Sequence, residues 1–123
     1  MPKFVIGGQI NKLELADLVK TLGRDKISVT IKNDLEAAMD VKNGSVDYYL
    51  GACNTGGGGA LAMAIALVGA DKCVTVSMPG NVFSDDKIIA EVNTGKIAFG
   101  FTAQHIAQVV PVIMKAIFSK EGV

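Results

Sequence analysis

The residue types able to do chemistry are concentrated in one stretch, "YYLGACNTGGGGALAM", positions 48–63. A thiol (Cys53), an amide (Asn54), a hydroxyl (Thr55) and four consecutive glycines (Gly56, Gly57, Gly58, Gly59) stand between two apolar runs. Glycines let backbone approach a ligand without side-chain obstruction and adopt positive φ, while Asn54 and Thr55 supply orienting polar groups. If this loop leaves a strand and opens a helix, its amides face outward with the helix dipole behind them, an arrangement that attracts phosphate or carboxylate. The competing reading is a tight turn that serves helix-to-strand packing alone. No Lys-Ser or Lys-Thr pair follows the glycines, and the first strand lacks the dinucleotide fingerprint. ATP and NAD are therefore poorly supported, and no cofactor is expected.

Cys53 carries two readings of equal weight. A helix N-terminus lowers a thiol pKa and makes it a base or nucleophile; a buried cysteine is also an ordinary small hydrophobe. Cys73 lies within a strand-like run and reads as core. Across the presumed crevice, Gly7, Gly8 and Gln9 offer backbone and amide contacts to the polar part of a ligand. Asn11, Ser77, Asn81 and His105 are rim candidates, with capping, a turn around Pro79 and Gly80, or an exposed helix position as the plainer explanations. Asp85 and Asp86 suit the positive start of a helix. With one histidine and two separated cysteines, a zinc site is not expected.

Such residues need a scaffold, and the chain alternates strand-like and helix-like runs. "KFVIGG", "KISVTI", "VDYYLG", "KCVTVS" and "KIAFGF" are β-rich, and each is followed by an apolar-periodic segment. Asn11 with Glu14 and Asn33 with Glu36 have capping-box spacing, and Gly23 and Gly44 suit left-handed helix stops. Pro111 inside the last periodic segment predicts a kink or restart. Five strands alternating with five helices imply an α/β three-layer sandwich with a five-stranded parallel sheet, as a single domain over 1–123. The flavodoxin-like order 2-1-3-4-5 is expected, with strands one and three meeting at the topological switch point where ligands bind. Tyr48 and Tyr49, as neighbours on a strand, point to opposite faces.

Composition narrows the function classes. Twelve basic and twelve acidic residues cancel without blocks of either sign, so no nucleic-acid or anionic-membrane partner is expected. The longest apolar run, "ALAMAIALVGA", is about half the roughly 20 residues of a membrane-spanning helix. A cytoplasmic location is expected. The third helix is apolar nearly all round, which demands cover on every side; a homodimer or larger homo-oligomer is expected, with dense cover by neighbouring helices as the competing explanation.

The segments "NDLEAAMDVKNGSVDYYLGACNTGGGGALAMAIALVG" and "GKIAFGFTAQHIAQVVP" resemble the YhfU-type family of small bacterial proteins, a domain of unknown function. The resemblance covers most of the chain and implies a bacterial cytoplasmic protein with no established reaction. A local resemblance joins Cys53, Thr55, Gly56 and Gly58 to the Cys-x-Thr-Gly-x-Gly motif of B-type ribose-phosphate isomerases, in which the cysteine acts as base and the loop stabilises an enediolate. Those enzymes have an Asp-His pair after the first strand, where this chain has Gly8 and Gln9. Three functions are thus in play. They are binding of an anionic small metabolite, sugar-phosphate isomerisation with Cys53 as base, and a transport-associated phosphocarrier resembling the IIB proteins. In the last of these the reactive cysteine follows the first strand.

Overall fold

The computed structural model describes residues 1–54 and 58–123. Its main sheet contains β1 (Lys3–Gly8), β2 (Ser28–Ile31), β3 (Tyr48–Cys53), β4 (Cys73–Thr75) and β7 (Ala98–Thr102). A two-stranded antiparallel hairpin, β5 (Ser77–Met78) and β6 (Asn81–Val82), follows β4. The helices are α1 (Lys12–Gly23), α2 (Asp34–Lys42), α3 (Gly58–Val68), α4 (Asp85–Asn93) and α5 (Ile106–Glu121).

All four pairings within the main sheet are parallel, and the period-2 alternation sends neighbouring side chains into different layers. Phe4, Ile6, Tyr48, Leu50, Phe99 and Phe101 pack under α1, α4 and α5. Val5, Tyr49 and Ala98 pack under α2 and α3, against Ala37, Ala38, Val41, Leu61 and Ala64. Tyr48 and Tyr49 therefore lie on opposite faces, as alternation requires. Tyr48 stacks on Phe4 at 5.3 Å between ring centroids and donates from its hydroxyl to Glu121 Oε2 at 2.6 Å.

The three-layer α/β sandwich is as expected, and β2-β1-β3 occupy the expected half of the sheet. Beyond β3 the order is β7 then β4, so the last strand takes the inner place and β4 the edge. Burial accounts for this exchange. All five residues of β7 are buried, as an inner parallel strand requires, whereas β4 has three residues and only Cys73 among them is buried.

Of the capping expectations, Asn33 and the left-handed Gly44 (φ 77°) hold, and Asn11 and Gly23 change. Asn33 Oδ1 accepts from the Glu36 amide at 2.8 Å, and Ser84 Oγ accepts from the Lys87 amide at 3.3 Å. Asn11 instead adopts φ 57°, and its side-chain amide donates to Glu14 Oε2 at 3.1 Å without capping the helix. Gly23 keeps right-handed φ −92°, and the positive φ falls on Arg24. A Cβ at Gly23 would run into the Ile27 side chain, so close packing and not handedness accounts for glycine there. Helix α5 continues through Pro111 without a break, preceded by a 3₁₀ turn over Ala103–His105.

Candidate functional site

The carboxyl ends of β1, β3 and β7 meet beneath the first turns of α2 and α3. Three glycines, Gly7, Gly51 and Gly100, pair in register across these strands. On the α2/α3 side they leave a trough where other strands would carry side chains. Tyr49 fills part of it. A Cβ at Gly7 would lie 2.6 Å from Tyr49 Cε2, and one at Gly51 would lie 3.0 Å from Cε1. Both glycines are thus cut to fit one aromatic ring.

The Tyr49 hydroxyl ties three elements together. It accepts from the Gly8 amide at 3.1 Å, and its single proton serves Ala60 O at 2.5 Å or Asp34 Oδ1 at 3.0 Å. Burial, and then the Asp34 charge beside it, push the phenol well above its ordinary pKa and keep it a neutral donor. Gly8 also donates to Asp34 Oδ1 at 2.5 Å. Gly8 itself takes φ 83°, and a Cβ there would stand 2.6 Å from the Ala52 amide nitrogen. No side chain fits that approach.

These bonds change the role of the β1 end. The Gly8 amide, a candidate ligand donor, is engaged by Asp34 and Tyr49, and the Gln9 amide donates to Ala52 O at 3.0 Å. What β1 offers outward is the exposed Gln9 side chain, seated against Gly59 in the first turn of α3. Lys12 adds a cation nearby, its ammonium donating to Lys32 O at 2.9 Å just past β2.

Two positions beyond the glycine row, on the same face, lies a row of small polar side chains. Cys53 pairs with Thr102, and the Thr102 amide donates to Ser77 Oγ at 3.0 Å. Cys53, Thr102 and Ser77 are all buried, at 1%, 2% and 1% exposure. By alternation from Tyr49 and Ala98, Cys53 and Thr102 project on the α2/α3 side. Thr102 Oγ1 and His105 Nδ1 are buried without a hydrogen-bond partner among the described residues. Helix α3 starts beside this row with Gly58 and Gly59, and no acidic side chain stands in its first turn.

Of the sequence candidates, the structure gathers Gly7, Gly8, Gln9, Cys53, Gly58 and Gly59 at this end of the sheet. Asn54 follows β3 and is exposed; Thr55, Gly56 and Gly57 lie outside the described residues. Ser77 is inside the protein, bonded to Thr102, while Asn81 is exposed and pairs with Met78 across the hairpin turn. His105 is half-buried, with one ring nitrogen fully enclosed. Asn11 is exposed at the start of α1. Cys73 is buried in β4, and burial raises its thiol pKa. Among the described residues no group of three His, Cys, Asp or Glu stands close enough to hold a metal ion. A cavity of about 350 Å³ lies in the opposite helix layer, lined by Asp85, Ile89, Pro111, Val112, Lys115, Ala116 and Ser119.

Sequence reasoning missed Tyr49, Asp34 and Thr102. Asp34 reads locally as a helix-dipole charge, and Thr102 as a cap. Only strand register shows Gly7 and Gly51 opposite one another, with Tyr49 over both.

The chain has relatives along most of its length. The uncharacterized protein YhfU of Escherichia coli strain K12 is 38% identical over 114 residues, covering 93% of this chain and 97% of that protein. The YhfU proteins of Escherichia coli O6:H1 and of Shigella flexneri match to the same extent. No solved structure matches the chain. Among the described residues no helix is long and apolar enough to cross a membrane. Residues 2–117 match the family described as "Protein of unknown function DUF2620", and the chain belongs to that family.

Proposed function

We propose that this is a cytoplasmic binding protein for a phosphorylated or carboxylated small metabolite, held where α3 begins at the carboxyl end of β3. The observation that carries this reading is the opening of α3. An eleven-residue helix starts on Gly58 and Gly59 with no acidic side chain in its first turn, next to the exposed amide of Gln9. The first amides of a helix have no intrahelical partner, and its dipole favours negative charge there. The position is the switch point between β1 and β3, from which β2 lies to one side and β7 to the other.

A proton-transfer enzyme with Cys53 as base is the second reading, favoured by the place of the thiol at the end of β3 beside Thr102. At 1% exposure Cys53 is a poor acceptor for a proton from a diffusing substrate, which ranks binding first.

Thermal-shift measurements with inorganic phosphate and small carboxylates test the proposal. An anion at a hundred times its Kd stabilises the native state by about 2.7 kcal/mol, or about 10 °C in Tm for a chain of this length. Absence of any shift across phosphates and carboxylates would overturn it.

The outer surface of α2 and α3 supports self-association. Leu35, Met39, Met63 and Ile65 are exposed at 51%, 46%, 42% and 42%, and neither charge nor hydrogen-bonding group interrupts α3. The uncharged apolar face of α3 complements a second copy of itself across a two-fold axis.

A further inference from the structure

We propose that β2, the free edge of the main sheet, pairs antiparallel with β2 of a second copy about a two-fold axis at Thr30, so that one sheet runs through both copies. This contact uses neither the anion site nor the outer face of α3. Strand β2 ends the order β2-β1-β3-β7-β4, and among the described residues no strand lies beyond it. The amides of Ser28 and Lys32 donate to Pro2 O at 3.1 Å and to Ile6 O at 3.0 Å, back toward β1. Thr30 shares their direction by alternation, so the N–H and C=O groups of Val29 and Ile31 point away from the sheet.

Such a row is a template for pairing, and natural sheets cover it or guard it with charge. Here it is uncovered, with Ser28, Thr30 and Ile31 exposed and Val29 half-buried. It is also unguarded. All four side chains are uncharged, and the ammonium of Lys32 beside them is turned back onto Asp40 Oδ2 at 2.6 Å. Apolar surface remains at this corner, where Ile31 is 38% exposed and Leu13 73%. Leu13 belongs to the adjoining start of α1, whose Lys12 reaches Lys32 O.

Register makes a second copy the occupant. An axis at Thr30 sets Val29 opposite Ile31 of the second copy and Ile31 opposite its Val29, so each outward N–H meets an outward C=O. Thr30 then meets its own counterpart in the non-hydrogen-bonded position, about 4.5 Å away at Cα, where threonine pairs bond through their hydroxyls. Ser28 falls opposite Lys32, and no like charges face each other. Neighbouring registers fit worse. An axis at Val29 would bring Lys26 toward Lys32 of the second copy. An axis at Ile31 would set Val29 opposite Asn33, whose carbonyl already accepts from the Ala37 amide at 2.9 Å.

Sedimentation velocity on the full chain tests the pairing, with circular dichroism to confirm that each variant is folded. Wild-type protein should associate. Thr30→Lys and Thr30→Glu each put like charges face to face on the axis, so each alone should halve the sedimenting mass. Mixed in equal amounts, the two should restore it, because a residue on the axis meets only its own counterpart. Ile31→Pro removes an outward N–H that β1 does not use, so it should also halve the mass in a folded chain. Ile31→Val should leave the mass unchanged. A wild-type chain that stays monomeric at every concentration would overturn the proposal, and so would association that persists in Thr30→Lys and Ile31→Pro. Failure of the two Thr30 variants to recombine would overturn it as well, since the contact would then lie away from Thr30.

Discussion

The claim that Gly7 exists to admit the Tyr49 ring can be measured as a coupling energy. In Gly7→Ala the new methyl would sit 2.6 Å from Cε2, 2.8 Å from Cζ and 2.8 Å from Oη of Tyr49, all atoms at the far end of the ring. Overpacking of this kind costs about 1–3 kcal/mol. Tyr49→Leu deletes those distal atoms and the hydroxyl that bonds Gly8 and Ala60, at a cost of about 2–4 kcal/mol. In the double variant the methyl enters space that the ring has vacated, so the combined loss should fall short of the sum by about 1–2 kcal/mol. Urea unfolding of the four proteins yields the cycle, with about 4 °C of Tm per kcal/mol as a check. Gly44→Ala serves as control, because Gly44 has φ 77° with nothing within 4 Å and should be additive with Tyr49→Leu. Additivity of Gly7→Ala and Tyr49→Leu to within about 0.5 kcal/mol would refute the packing argument.

Two further outcomes follow from the same geometry. Tyr48 and Tyr49 both have pKa values raised by burial first, so above pH of about 10 the unfolded chain loses phenolic protons that the native state keeps. Stability is then full below pH of about 10 and falls as pH rises, by about 1.4 kcal/mol per unit for Tyr49 alone. Tyrosinate absorbance, clean in a chain with two tyrosines and no tryptophan, should therefore rise together with the loss of circular dichroism. Titration of both phenols in a still-folded protein would contradict it. Ile65→Lys on the exposed face of α3 should shift sedimentation toward monomer with little change in unfolding midpoint; an unchanged assembly would show that this face is not the contact.

Much of the fold was legible because local rules and tertiary demands agree. Alternating β-rich and apolar-periodic runs could bury both faces only as a parallel sheet between helices, and Asn33 and Ser84 cap as their types and spacing indicate. The burial split between Tyr48 and Tyr49 follows from strand pleating alone. Gly23 was misread for a local reason. Glycine is permitted at a left-handed stop and equally where a neighbour crowds the Cβ, and Ile27 does the crowding.

The sequence by itself determined the elements, their alternation, and the place of the glycine-rich opening after the third strand, because periodicity and turn chemistry act over a few residues. The tertiary structure alone decided that β7 lies inside β4, and that Gly7, Gly51 and Gly100 form one row. It also decided that Asp34 takes the Gly8 amide, and that Thr102 stands buried beside Cys53 with its amide on Ser77. These are facts of register between strands up to 93 positions apart, Gly7 to Gly100, and register is set by the packing of the whole sheet against its two helical layers.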